Sequence, residues 1–447
     1  MTTTTQPARA SLSTAPLSGR VSMAGDKSIS HRALILSAMA TGTSTITGLL
    51  EGTDVLATAQ AMQQMGAQMT RLGDGHWQVT GVGTSGLRAP EAALDFGNSG
   101  TGARLVMGVV AGAGIGAEFI GDASLSSRPM ARVTDPLSLM GAQVSAASAD
   151  KVTLPLHLAG PPTAMPIDYL SPVASAQVKS AILLAGLNAP GKTTVRETPI
   201  TRDHSENMLT LFGAEIERHS DGAQHIVTIT GEAQLQATDI AVPGDPSSAA
   251  FPMVAALCVP GSDVVLENIM LNRQRDGLIR VLQDMGGDIT IIDERQQAGE
   301  RVADLRVRQS ALKGVEVSGE IAASMIDEYP ALAMAAAYAT GPTHMHGLHE
   351  LRVKESDRLS AIADGLKANG VELTEGDDDL LIIGAGEAGV EGGGLIETRH
   401  DHRIAMSFLV LGLFAKNPVS VDDTTMIETS FPTFFSLMQT LGVQFER

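Results

Sequence analysis

Six times along this chain, a glycine followed by a small or apolar residue closes a helical stretch, at nearly constant spacing. The tripeptides are Met65-Gly66-Ala67, Met140-Gly141-Ala142, Phe212-Gly213-Ala214, Met285-Gly286-Gly287, Asn369-Gly370-Val371 and Leu441-Gly442-Val443. The glycines stand 75, 72, 73, 84 and 72 residues apart. A period of that length means one supersecondary unit per repeat. Glycine suits the left-handed position at which a helix stops.

A second element keeps the same period. Six Ala-rich stretches with helical character begin near Ser28, Gly100, Ser175, Ser247, Asp327 and His402, and they are apolar on nearly every face, as in Ala181–Ala185. Helices of that kind are buried. Short strands precede the second helix of a repeat at Ser44–Gly48, Glu118–Gly121 and Val264–Asn268. With 447 residues the chain exceeds one compact core. The expectation is therefore an α/β (α+β) protein of two pseudo-threefold domains. The longest spacing, 84, is put down to a surface excursion made of the acidic Asp377–Asp379 and the Gly-rich Gly384–Gly394.

A net charge of −19 argues against a nucleic-acid partner, which needs a basic face. It leaves room for small anions held by a local basic cluster. The single cysteine, Cys258, rules out an intrachain disulfide and points to a reducing compartment, the cytoplasm. No apolar run reaches the length of a membrane span. Residues 1–18, rich in Thr and Ser, read as a flexible tail.

Polar residues with chemical potential collect where helices start, and helix N-termini attract anions. They occur in Gly25–Arg32 (GDKSISHR), with Ser28 as the expected cap and Lys27 and Arg32 as anion grips, and in Phe96–Arg104 (FGNSGTGAR). Others follow at Ser126–Met130 around Arg128, at Ala174–Lys179 and at Thr201–His204. Asp327 reads by itself as an N-cap. In Leu351–Arg358 (LRVKESDR), Lys354 and Arg358 share a face if the helix has begun. His400-Asp-His402 is short of further metal ligands and reads as structural. A P-loop reading of Gly19–Ser28 fails because Asp26 interrupts the required Gly-Lys pair. Gly112–Gly116 follows a helix and not a strand, so it is no dinucleotide turn.

Taken in order, Gly25–Arg32, Asn98–Gly102, Arg128–Met130, Ser175–Gln177, Asp327–Pro330, Lys354–Arg358 and Asp401–Arg403 resemble the EPSP synthase family, in its bacterial class II branch. The resemblance runs from about Gly25 to Pro432. It implies two domains, each of three βαβαββ repeats (an inside-out α/β barrel). The lower domain would be 1–24 plus 240–447, the upper 25–239, closing over the site. It further implies transfer of the enolpyruvyl group of phosphoenolpyruvate to the 5-hydroxyl of shikimate 3-phosphate. Lys27, Ser28, Arg32, Ser175, Ala176, Gln177, Arg202, Asp327 and Lys354 would contact the sugar phosphate. Lys27, Gly100, Arg128, Gln177, Arg358 and Arg403 would contact phosphoenolpyruvate. Asp327 would be the base, and Glu355, with Lys27 as a second candidate, the acid. Neighbouring Lys354 and Arg358 favour ionised Glu355, in tension with an acid's role. No cofactor, metal, nucleic acid or membrane is implied, and a monomer is expected. Asp422–Pro432 carries no basic residue where some relatives have a lysine, and position 100 is Gly where some carry Ala. The alternatives are a UDP-N-acetylglucosamine enolpyruvyl transferase, whose usual reactive cysteine Cys258 does not resemble, and a non-catalytic anion-binding relative.

Overall fold

The computed structural model describes residues 5–147 and 151–447. The chain divides into two compact units. A middle unit comprises 25–243 with the hairpin tip 296–300. A terminal unit comprises 1–24, 244–295 and 301–447.

Each repeat glycine has a positive φ, from 75° to 114°. In every case the residue after it donates its N–H to a carbonyl five residues back: Ala67 to Met62, Ala142 to Leu137, Ala214 to Leu209, Gly287 to Leu282, Val371 to Leu366 and Val443 to Met438. This is the Schellman closure. It explains the rest of the repeated signature, because the accepting residue is always a buried Leu or Met.

The six apolar helices are Lys27–Met39, Gly100–Ala113 and Ala176–Gly186 in the middle unit, and Pro246–Cys258, Tyr329–Tyr338 and His402–Gly412 in the terminal unit. They are almost wholly buried. Around them, the described residues form six four-stranded sheets, three per unit. One edge pair of each sheet is parallel: Leu94–Asp95 with Gly116–Ile120, or Ile240–Ala241 with Thr41–Thr47. Antiparallel strands complete it. The architecture is thus the expected α/β one, with helices inside and sheets outside.

Two core helices of the middle unit meet backbone to backbone. Gly108 and Gly112, one turn apart, face Ala181 and Ala185. A Cβ on Gly108 would stand 2.3 Å from the Ala181 carbonyl oxygen and 2.7 Å from its Cα. Backbone cannot yield as a side-chain end can. Gly108→Ala is therefore expected to destabilise the protein by about 1–3 kcal/mol. A urea titration followed by circular dichroism reads the loss, and an unchanged midpoint would mean the helices separate freely.

Several expectations need correction. Residues 8–18 are no flexible tail. Ala8–Ala10 is an inner strand between Val419–Val421 and Phe445–Glu446, with Ala8 and Ala10 buried, and Ser18 opens a strand paired with Asp263–Met270. The first four residues of that tail lie outside the described ones. The surplus behind the 84-residue spacing is the long hairpin of Asp288–Gln297 and Glu300–Arg308. The segment 377–394 follows Gly370 and builds the inner strand Asp379–Ala385, so it is no surface excursion. Asp26, not Ser28, caps the first core helix, accepting from the Ile29 N–H at 2.8 Å.

Candidate active site

In the middle unit, the start of helix Gly100–Ala113 meets the start of Ala176–Gly186. Arg104 lies one helical turn after Gly100 and donates from Nη1 to Gln177 Oε1 at 2.7 Å. The Gln177 amide nitrogen donates to Thr101 Oγ1 at 2.9 Å. Arg128, in the extended link before helix Ala131–Leu139, donates to Asn98 Oδ1 at 2.7 Å and to Ser124 Oγ at 3.1 Å. A Cβ on Gly100 would lie 3.2 Å from Arg104 Nη1 and 3.4 Å from Arg128 Nη1. Two guanidinium groups thus converge over Gly100 on amide and hydroxyl partners. Burial, with Arg132 and Arg128 nearby, pushes the Arg104 pKa down to about 10. Among the described residues, the Arg104 guanidinium makes no ion pair with a carboxylate.

A second cationic group lies around Arg32, which is nearly buried. Its guanidinium donates to Ser205 Oγ at 2.7 Å, Ser180 Oγ at 2.8 Å and the Ser28 carbonyl at 2.9 Å. Burial lowers its pKa to about 10, Glu206 opposes that shift, and the charge of nearby Arg202 adds to it. Ser175 caps helix Ala176–Gly186 through the Val178 N–H, so Ala176 is its first residue. Behind that helix, fully buried Lys179 is ion-paired with Glu197 and Glu206, each at 2.7 Å, which ties its first turn to helix His204–Leu211. The Lys27 ammonium is ion-paired with Asp54.

In the terminal unit, acids and bases from three segments meet. Asp327 Oδ1 lies 3.1 Å from Arg358 Nη1 and 3.4 Å from Lys354 Nζ. Glu355 pairs with Arg358 Nη2, and Asp401 accepts from Arg358 Nε at 2.7 Å. Arg358 is buried at the centre of three carboxylates. Burial raises the Glu355 pKa, but the Arg358 charge, with Lys354 nearby, prevails and holds it well below the usual range. Arg403 Nη1 stands 4.0 Å from Glu328. Burial pushes His402 down to about 3, so its imidazole is neutral.

Two local expectations fail here. Asp327 is no N-cap: Glu328 holds that position for helix Tyr329–Tyr338, and the Asp327 carboxylate points at Lys354 and Arg358 instead. Lys354 and Arg358 share no helix face either. The helix Arg358–Ala368 starts only at Arg358, after Asp357 as cap, and it is the turn before it that brings Lys354 to Asp327. Arg104, Asp54 and Asp401 were missed as site residues. The four-residue spacing of Gly100 and Arg104 was the available signal for the first; for Asp401 the sequence offers only a cap.

Cys258 is fully buried in the core helix Pro246–Cys258, and burial raises its thiol well above the usual value. It is no nucleophile. Gly114, with φ 66°, ends the helix Gly100–Ala113, so Gly112–Gly116 follows a helix and is no dinucleotide turn. Among the described residues, no helix is long and apolar enough to cross a membrane.

The chain thus has two units of three sheets around buried helices, with two guanidinium groups converging on the start of Gly100–Ala113 in one and three carboxylates on one buried arginine in the other. The family model of EPSP synthase (3-phosphoshikimate 1-carboxyvinyltransferase) matches residues 13–438. The 3-phosphoshikimate 1-carboxyvinyltransferase of Parvibaculum lavamentivorans is 59% identical over 432 residues, 96% of this chain and 95% of its own. That of Methylorubrum extorquens is 57% identical over 434 residues, with the same coverage. The solved EPSP synthase of Acinetobacter baumannii superposes with a TM-score of 0.90 at 44% identity, covering 99% of both chains. The chain belongs to the EPSP synthase family, which are transferases.

Proposed function

We propose that this protein transfers the enolpyruvyl group of phosphoenolpyruvate to the 5-hydroxyl of shikimate 3-phosphate, releasing phosphate, in chorismate biosynthesis. The observation that carries this reading is the pairing of both acids, Asp327 and Glu355, with one buried arginine, Arg358, in a chain that the EPSP synthase family model matches over residues 13–438. Mere anion binding has no use for two such carboxylates.

In the first step, Asp327 takes the proton of the attacking hydroxyl while the oxygen bonds to C2 of phosphoenolpyruvate. The methylene C3 receives a proton from Glu355, with Lys27 as the second candidate. A tetrahedral intermediate results. In the second step the C2–O bond to phosphate breaks and C3 returns a proton, restoring the double bond. Arg104, Arg128, Arg358 and Arg403 offset the charge of phosphate and carboxylate groups. Lys27, Ser28, Arg32, Ser175, Ala176, Gln177, Arg202 and Lys354 serve the sugar phosphate. The tension over Glu355 resolves on binding. A substrate anion competes for Arg358, the carboxylate loses its partner, and its pKa rises toward that of an acid.

The test is phosphate release by the purified protein with phosphoenolpyruvate, with and without shikimate 3-phosphate and with no nucleotide added. Release that needs both substrates, with the enolpyruvyl product seen by mass spectrometry, is expected. Release with UDP-N-acetylglucosamine in place of the sugar phosphate would transfer the assignment to that reaction. We also place the protein in the cytoplasm as a monomer. Its one thiol is buried and it has no disulfide to protect.

Position 100 also bears on inhibition. Glyphosate is longer than phosphoenolpyruvate, and a methyl on Gly100 would project onto the two guanidinium groups. Gly100→Ala is expected to raise the glyphosate concentration for half inhibition about 10–200-fold, the worth of one methyl in a fitted site. The KM for phosphoenolpyruvate should rise much less. Equal glyphosate inhibition of both proteins would sink the idea.

A further inference from the structure

The strand Thr340–His346 carries two histidines two residues apart, and the sheet gives them company. Successive side chains of a strand face opposite sides. Met345 is therefore buried, while His344 and His346 share the outer face. On one side, Glu316 of Glu316–Val317 pairs directly with His344. On the other, Asp379 of Asp379–Ala385 pairs directly with His346. Three adjacent strands thus present two imidazoles and two carboxylates on one surface.

The contacts go beyond proximity. Glu316 Oε1 lies 2.5 Å from His346 Nε2 and 3.7 Å from His344 Nδ1. The two rings are 4.0 Å apart between centroids. On its far side, His344 Nε2 lies 2.8 Å from Asp379 Oδ2. A neutral imidazole has one N–H. Asp379 claims that proton on Nε2, which leaves the Nδ1 lone pair aimed at the side where Glu316 and His346 meet. A histidine whose second nitrogen donates to a carboxylate is the usual support of a metal ligand.

We propose that Glu316, His344 Nδ1 and His346 Nε2 bind a divalent transition metal of the zinc class, with Asp379 orienting His344 and water completing the shell. The three ligand atoms lie within 4.8 Å of one another. Tetrahedral zinc needs them about 3.3 Å apart, given bonds of about 2.0–2.1 Å. Exposed side chains make that adjustment readily. The site is separate from the residues assigned to turnover. Its effect is to cross-link two strands, with Asp379 on a third holding His344, so metal should stabilise the folded protein.

The test is calorimetric titration of the metal-stripped full chain with zinc chloride at pH 7.5, beside thermal melts. One equivalent should bind, and the melting temperature should rise. His344→Ala with His346→Ala should abolish both effects, and Asp379→Asn should weaken binding about 10–100-fold. All four positions are at least partly exposed, so the variants are expected to fold, and circular dichroism checks that they do. Absence of stoichiometric binding by the wild type would overturn the proposal. So would binding that survives in the double variant, for instance through exposed His349 beside Asp378.

Discussion

Asp327→Asn is expected to lower kcat about 10²–10⁴-fold, the span covered by loss of a general base. The substitution keeps the size of the side chain and removes its basicity. Lys354 and Arg358, both within 3.4 Å of Asp327, stay in place. Binding of shikimate 3-phosphate should therefore change far less than turnover, and KM should stay within a few-fold. The measurement is steady-state phosphate release with each substrate varied in turn. A loss in KM alone would make Asp327 a binding residue. A variant with nearly full activity would show that Asp327 is not the base, whereas a wild type that binds both substrates without turnover would leave the anion-binding relative as the better description.

The largest expected effect on stability comes from Arg358→Met. The arginine side chain is 1% exposed and Asp401 0% exposed, with Glu355 and Asp327 on the same guanidinium. Removing the cation deprives the Glu355 and Asp401 carboxylates of their arginine, at about 3–5 kcal/mol for a broken buried pair. The pH dependence has a definite sign. Glu355 is held below its unfolded pKa, so its contribution is full above the unfolded value and fades as pH falls toward the folded one. The gap between wild type and variant should therefore be widest near neutrality and narrow in acid. Urea midpoints at pH 7.5 and at about pH 3, below the usual glutamate value, read both features. A gap that widens in acid would contradict the assignment of the ion pair. Loss of activity in this variant would say nothing about chemistry unless folding is first verified.

The glycines at 66, 141, 213, 286, 370 and 442 were legible because a Schellman closure is complete within six residues. The buried helices were legible because an all-apolar stretch has no other stable place. Cap identities were less so. Asp26 and Ser28, or Asp327 and Glu328, stand one or two residues apart, and composition alone does not choose between them. The strand Ala8–Ala10 was invisible: three residues in a Thr/Ser-rich stretch show no period, and their partners lie some four hundred residues away. Among the candidate site residues, the motifs flagged Asp327, Lys354, Glu355 and Arg358 but not their arrangement. Arg104 went unassigned because its four-residue spacing from Gly100 does not by itself tell a buried arginine held by an amide from a solvated one.

What the sequence determined by itself was therefore the repeat, its helix stops and the inventory of cationic and acidic groups, because each rests on interactions along a few turns of chain. Tertiary structure decided which strand closes which sheet, that Gly108 must be bare against Ala181, and that one guanidinium collects Asp327, Glu355 and Asp401. Those outcomes depend on contacts between segments tens to hundreds of residues apart. There, close packing and desolvation fix what local propensity leaves open.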